Sequence, residues 1–405
     1  MYNFYFILHV LFNYAYILLG VEIMRKFIFF IILFYIFSFS ILVSAQEELI
    51  PNATSGILME INSGKVIFEK ERDKEVSIAS LTKMVAQIII LEEIEKGSIK
   101  WDDMVTVSKN ASDMGGSQIY LEQGEKMSVE DLMKGISVAS GNDAVVAMAE
   151  FISGTEEKFV KRMNRIISKL GLKHTHFSNC TGLDEKDHYS SAYDMAMIAR
   201  ELIMNHSEIL RFSSIYEDYL REDTNRKFWL VNTNKLVSQY EGCDGLKTGH
   251  TDDAGYCLAA TSKRDNIRLI GIVLGEKDSK IRNAETIDLL DYGFNNVKVN
   301  LLKEKGSIID YLSIEKANIK NVPILLKNDL IVIDGPSDKK KIKYKVQFNN
   351  YNLPIKKKTV IGKIKAFYKK KLISEEDLII GESIRKIDYC NLLKDQLFNL
   401  LLGNI

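Results

Sequence analysis

Histidine, proline and tryptophan are scarce in this chain, whose 405 residues include six, four and two of them respectively. Cysteine is as sparse, at four. Cys180, Cys243, Cys257 and Cys390 form neither a C-x-x-C pair nor another metal-ligand spacing, which argues against structural zinc and against a dense disulfide framework. Cys243 and Cys257 flank an expected hairpin, so a disulfide between them is open in an oxidising compartment, but two buried thiols are the preferred reading. His174 and His176, near Cys180, lack the H-E-x-x-H frame of a metalloprotease and are read as loop residues. There is no G-x-S-x-G elbow, so a serine hydrolase with a histidine base has no support. No cofactor is expected. Net charge is missing too, because 54 Lys and Arg balance 54 Asp and Glu. That removes any global attraction to nucleic acid, which is not expected as a partner. The basic runs Lys339-Lys340-Lys341 and Lys369-Lys370-Lys371 are local and read as solvated faces of strands and turns, in preference to membrane-attracting patches.

What is present fits a globular protein, with 46% apolar and 27% charged residues. The length suggests a catalytic unit of roughly 250 residues plus a smaller appendage. From Met24 the chain reads as a signal peptide over residues 24–45. Met-Arg-Lys is followed by an apolar run from Phe27 to Val43 and a small-residue site at Val43-Ser44-Ala45, so the mature chain is expected to start at Gln46. The first 23 residues carry a second apolar stretch. Either Met24 is the true start and they are a translation artefact, or both stretches form a membrane hairpin; the completeness of the segment from Met24 favours the first reading.

Gly56 to Glu69 alternates apolar and polar residues around Asn62-Ser63-Gly64, the pattern of a β-hairpin. Apolar spacing of three to four residues predicts helices over Leu81–Glu95, Val129–Ala139, Ala144–Ile152, Glu156–Leu170 and Ala192–Met204. Ser128, three residues before Asp131, should cap the second of these. Strands are expected at Gly255–Thr261 and Ile267–Leu274 around a turn at Asp265-Asn266, then a helix over Ala284–Tyr292. Strands at both ends with helices between them imply an α+β unit over 46–296, one sheet covered by helices. From 297 to 383 short β-like runs indicate a small β domain. Lys371–Leu378 matches part of a common epitope tag but lies inside that pattern and is taken as native. Residues 384–405 are expected to form an amphipathic helix, a packing element or an in-plane membrane anchor.

Ser80-Leu81-Thr82-Lys83 opens the first helix. Positions i and i+3 share a helical face, which brings the Ser80 hydroxyl and the Lys83 amine within hydrogen-bond reach. A serine hydroxyl needs a base, and a lysine can serve if its pKa is pushed down by burial and a neighbouring cation. Alone, S-x-x-K is common. Ser140-Gly141-Asn142 breaks an apolar helical pattern with a polar turn in what should be core, where unpaired polar groups are costly. By itself it reads as a helix-helix turn capped by Asn142. Lys247-Thr248-Gly249 falls on the strand preceding Gly255, and by itself reads as an exposed edge strand.

Together, S-x-x-K, S-x-N and K-T-G in this order resemble the penicillin-binding proteins and serine β-lactamases, and more closely the low-molecular-mass D-alanyl-D-alanine carboxypeptidases. Ala139-Ser140-Gly141-Asn142-Asp143-Ala144, His188-Tyr189-Ser190-Ser191-Ala192-Tyr193-Asp194 and Asp244-Gly245-Leu246-Lys247-Thr248-Gly249-His250-Thr251 extend the match, which spans about Gln46 to Phe294 and more loosely the β domain. The resemblance implies the transpeptidase-like fold, an antiparallel sheet flanked by helices with a helical insertion. It implies Ser80 as nucleophile, Lys83 as base and Ser140 as proton relay. Asn142, Lys247, Thr248 and Gly249 would bind substrate, with the amides of Ser80 and His250 forming the oxyanion hole and Arg282 at the terminal carboxylate. Lys247, together with burial, would hold the pKa of Lys83 down. The implied substrate is the peptidoglycan pentapeptide stem, β-lactams would be covalent inhibitors, and the implied location is exported, at the outer face of the cytoplasmic membrane or in the wall. A D,D-endopeptidase or a non-catalytic wall-binding scaffold remain as alternatives; a β-lactamase, which would more often read S-D-N, is disfavoured.

Overall fold

The computed structural model describes residues 48–386 apart from 266, 315–316, 334 and 336–338, together with isolated helical positions between 9 and 29 and position 393. The cleavage site at Ala45 and most of the terminal segment after Lys386 lie outside the described residues. Among the described residues no helix is long and apolar enough to cross a membrane.

The hairpin forms as its alternation and turn predict: β1 (Ser55–Glu60) pairs antiparallel with β2 (Val66–Lys70). The Glu60 carboxylate ties the turn by accepting from the amides of Asn62 and Ser63 and from the Ser63 hydroxyl, at 2.6 to 3.0 Å. Two short hairpins follow, β3 (Met104–Thr106) with β4 (Lys126–Ser128) and β5 (Glu217–Leu220) with β6 (Phe228–Val231). The main sheet is completed by β7 (Cys243–Thr251), β8 (Gly255–Arg264) and β9 (Ile267–Glu276), in the order β2-β1-β9-β8-β7. Its closure is long-range, since Ser55 of β1 sits opposite Leu274 of β9. Every residue of β1 is buried. A strand buried on both pleat faces needs cover on each, and two helices lie against it, Ala192–Asn205 and Ser279–Asn296.

The helices are α1 (Lys83–Lys96), α2 (Lys109–Ser112), α3 (Val129–Val138), α4 (Asn142–Ser153), α5 (Glu156–Leu170), α6 (Ala192–Asn205), α7 (Ile209–Ser213), α8 (Leu236–Gln239) and α9 (Ser279–Asn296). Ser128 caps α3 as its sequence predicts, accepting from the Asp131 amide at 3.1 Å. Ser80 does not open an α-helix: Ala79–Thr82 is a 3-10 turn and α1 starts at Lys83. Thr82 Oγ1 donates to the Ala79 carbonyl at 2.8 Å, tightening that turn. Helix α9 starts five residues before the expected Ala284 because Asp278 caps it, accepting from Lys280 and Ile281. Cys243 and Cys257 are free, buried thiols. They do not face each other, since the register sets Cys243 opposite Ser262 and Cys257 opposite Gly249.

Beyond α9 the chain is β-structured: β10 (Val299–Lys303), β11 (Ile308–Ser313), β12 (Asn321–Leu326), β13 (Leu330–Ile333), β14 (Lys343–Phe348), β15 (Val360–Tyr368) and β16 (Lys371–Ile380). Five of them form a sheet in the order β11-β12-β16-β15-β14, and β10 pairs with β13. Their own apolar core includes Val322, Ile324, Leu326, Ile361, Ile364, Leu378 and Ile380. The tag-like stretch from Lys371 is thus an integral strand. The expected helix from Ile384 is corrected at its start. Ile384 exchanges backbone hydrogen bonds with Ile355 at 2.8 and 2.9 Å and Lys386 bridges Ala317, so 384–386 is extended and Ile384 is fully buried in this core. The rest of that segment, including Cys390, falls outside the described residues except the helical position 393.

Candidate active site

Lys83, first residue of α1, is fully buried. Its amine contacts Ser80 Oγ at 2.8 Å, Asn142 Oδ1 at 2.6 Å and the Thr181 carbonyl at 2.7 Å. Burial lowers its pKa to about 7, against the opposing pull of Cys180 and Asp143. At neutral pH a substantial fraction is therefore the free amine. In that form its two N–H bonds go to Asn142 and Thr181, neither of which can donate from the contacting oxygen. The lone pair is left facing Ser80, and the 2.8 Å contact runs from the Ser80 hydroxyl to the amine. This is the geometry of a nucleophile with its base.

Each acceptor is itself held in place. Asn142 donates through Nδ2 to the Gly115 carbonyl at 2.6 Å, which turns Oδ1 towards Lys83. Both ends of the Asn142 amide are thus engaged within the protein, so its visible task is to orient Lys83 and not to cap α4; Gly141 occupies the cap. The neighbouring Asp143 carboxylate, buried, accepts from the amides of Ile119, Leu121 and Ala144 and clamps the 115–121 loop against the S-x-N turn. Thr181 is fixed by Asn179, whose Oδ1 accepts from the Thr181 amide and hydroxyl and from the Gly182 amide, at 2.7 to 3.2 Å. Gly182 has φ +86°, and a Cβ there would collide with the Ala79 carbonyl.

Ser140 sits between α3 and α4 at φ +63°, buried, its hydroxyl without a hydrogen-bond partner. A buried orphan hydroxyl is costly unless something else uses it. Lys247 is buried in β7, and its amine donates to the Thr248 carbonyl at 2.9 Å. Burial, then repulsion from Lys83 and Arg282, hold its pKa well below the ordinary lysine value. Burial is the first cause at both amines, and the repulsion between Lys83 and Lys247 disfavours charging both together. Thr248 donates to Thr233 Oγ1 at 2.6 Å. Gly249 lets β7 pack directly on the turn bearing Ser80, since a Cβ there would press on Ile78 O and Ala79 Cβ. The K-T-G strand is indeed an edge strand, but a buried one. His250 is exposed, its ring 4.0 Å from that of Tyr256.

Arg282 lies in the first turn of α9, ahead of the expected helix start at Ala284, and it is 5% exposed. Its guanidinium bonds to Asn283 Oδ1 at 2.8 and 3.1 Å, and its charge reaches Lys247. Hydrogen bonds thus join Ser80, Lys83 and Asn142, while Lys247 and Arg282 are linked to them through charge. Asp143, Asn179 and Thr181 were missed. Asp143 had a signal, an acid in the first turn of an apolar helix; the other two sit in a loop with none. Among the described residues no group of three or more His, Cys, Asp or Glu could hold a metal.

A serine on a 3-10 turn, with a buried lysine amine 2.8 Å from its hydroxyl and an antiparallel sheet beside it, is the arrangement of a serine acyl-transfer site of the penicillin-recognising type. The family model for D-alanyl-D-alanine carboxypeptidase matches residues 43–278, and that for the penicillin-binding protein 5 C-terminal domain matches residues 298–386. The chain belongs to the D-alanyl-D-alanine carboxypeptidase family. D-alanyl-D-alanine carboxypeptidase DacF of Bacillus subtilis is 42% identical over 86% of this chain and 90% of its own length. DacA of Escherichia coli K12 is 34% identical over 84% and 88%. Among solved structures, penicillin binding protein 5 from Haemophilus influenzae matches with TM-score 0.65 at 32% identity, over 83% of this chain and 98% of its own. Penicillin-binding protein D2 from Listeria monocytogenes in the ampicillin bound form matches with TM-score 0.55 at 31% identity, over 60% and 98%.

Proposed function

We propose that this chain is a serine-type D-alanyl-D-alanine carboxypeptidase that removes the terminal D-alanine from peptidoglycan pentapeptide stems through an acyl-enzyme. The observation that carries the reading is the Lys83 amine, lowered to about 7 and aimed at Ser80 Oγ by two fixed acceptors. Ser80 Oγ bonds to the carbonyl carbon of the penultimate D-alanine while its proton passes to Lys83. The amides of Ser80 and His250 receive the oxyanion. Ser140 relays the proton to the departing amine, the C–N bond breaks and free D-alanine leaves. Water, deprotonated by Lys83, then hydrolyses the ester. Lys247, Thr248 and Arg282 hold the terminal carboxylate, whose negative charge favours the protonated form of Lys247, and Gly249 keeps the strand close to the nucleophile.

β-Lactams, as strained acyl donors, would stop at the ester on Ser80. Residues 46–296 form the peptidase unit in this reading, and 297–386 a β domain that includes the extended 384–386. Export by the segment 24–45, and residence at the outer face of the cytoplasmic membrane or in the wall, belong to the same proposal. Fluorescent penicillin should label the wild type covalently and leave Ser80→Ala unlabelled, and a pentapeptide assay should release free D-alanine. A folded wild type that takes up no label defeats the catalytic reading. Cleavage of cross-linked dimers without release of D-alanine converts it to an endopeptidase.

A further inference from the structure

Thr82, between the two motif residues, plays no part in the steps above, yet it is fully buried and hydrogen-bonded on both sides. Its hydroxyl donates to the Ala79 carbonyl at 2.8 Å and meets His188 Nε2 at 2.7 Å. His188 is 4% exposed, and its other ring nitrogen accepts from the Ser178 amide at 3.2 Å. With Nδ1 an acceptor, the single ring proton of neutral His188 is on Nε2 and is donated to Thr82. One directional chain results: Ser178 N–H to His188, His188 Nε2–H to Thr82, Thr82 O–H to Ala79 C=O. Burial, lowering His188 to about 4, keeps the ring neutral and the direction fixed.

The chain ends on an unusual peptide. Ala79 has φ +48°, in the left-handed region that residues with a Cβ rarely adopt. Such a conformation persists only where its surroundings hold it. The Ala79 carbonyl shares one planar trans peptide with the Ser80 N–H, and the two point in opposite directions. Fixing the carbonyl therefore aims the amide.

We infer that Thr82 and His188 are positioning residues that orient the Ser80 amide for the oxyanion. This rests on the reading of Ser80 as the acylating nucleophile. Neither side chain touches substrate; both act through the Ala79–Ser80 peptide, so their loss should lower the acylation rate constant and leave ground-state binding nearly unchanged.

The test is the concentration dependence of fluorescent penicillin labelling, which separates the maximal acylation rate from the half-saturating concentration, with thermal unfolding measured alongside. Thr82→Val, isosteric but without the hydroxyl, should acylate about ten- to a hundredfold more slowly at saturation, with half-saturation moved less than about twofold. Thr82→Ser should recover to within about threefold of wild type. His188→Leu should fall in the same direction, and His188→Gln, which keeps a donor near the Nε2 position, should recover. Wild-type acylation in both Thr82→Val and His188→Leu overturns the inference. So does an effect confined to half-saturation, or equal loss in the conservative and non-conservative variants. If Thr82→Val does not fold, the His188 pair decides by the same criteria. These results differ from failure of the nucleophile reading itself, in which the wild type takes up no label or Ser80→Ala labels as it does.

Discussion

The two sheet-bearing regions of the molecule treat buried polarity in opposite ways. The region up to α9 encloses Lys83, Lys247, Arg282, Asp143 and His188, all at most 5% exposed. The β domain after α9 buries Asn328 and Glu376, which bond to each other at 3.1 Å, and keeps its lysine runs at 339–341, 356–358 and 369–371 outside. Burying a group that wants charge costs free energy unless it is paired or neutralised. The first region accepts that cost around Ser80, where the proposed lysine base needs a lowered amine pKa. The second buries its Asn328–Glu376 pair within hydrogen-bond distance and leaves its lysine runs to solvent.

Replacing Lys83 should break this contrast most sharply. Lys83→Met keeps the volume and removes the base, so penicillin labelling is expected to slow by about a hundred- to ten-thousandfold. The melting temperature should hold or rise, because a desolvated amine is gone. In the wild type, labelling should accelerate with rising pH through about 7, since only unprotonated Lys83 accepts the serine proton and its value lies there. A flat profile, or unimpaired labelling in Lys83→Met, would remove Lys83 as base.

Ile324→Ala tests the other region. Ile324 is fully buried in the core of the β domain, and truncation should cost about 2–5 kcal/mol, read as a lower denaturant midpoint. Labelling of Ser80 in buffer should be unaffected. A matched loss of labelling would show that the two regions unfold as one.

A smaller effect is expected at Glu276 and Glu285. Glu276 is 1% exposed, and burial followed by the adjacent Glu285 carboxyl raises its pKa. The native state thus keeps a proton that the unfolded chain releases near the usual carboxylate value. Stability contributed by that proton is present at acid pH and is lost as pH rises through the folded pKa. Glu276→Gln should flatten this alkaline decline in melting temperature; an unchanged slope assigns it elsewhere. The smallest effect is expected for Lys363→Ala. Lys363 meets Glu375 at 2.8 Å with side chains 48% and 37% exposed, and such surface pairs contribute about 0.2–1 kcal/mol. A loss well above that in urea unfolding would mean that the outer face of the β domain is more than a solvated surface.

Local features were legible where their cause was local. The hairpin turn at 62–64, the Ser128 cap and the bounds of α5 follow from neighbouring residues. The start of α9 at Ser279, ahead of Ala284, has an equally local cause in the Asp278 cap. Asn179 and Thr181 were out of reach, because a loop carbonyl becomes an acceptor for Lys83 only after the chain between them has folded. The terminal helix failed at Ile384 because a strand partner, Ile355, took its backbone bonds.

By itself the sequence determined the order S-x-x-K, S-x-N, K-T-G and the family to which it belongs, since spacing along a helix or strand is a property of the chain. It also determined that a small β region follows. Only the tertiary structure decided that Lys83 can be a base. Its lowered pKa comes from desolvation, and desolvation depends on α4 and the 179–182 loop closing over one amine, an outcome of packing between segments far apart in the chain.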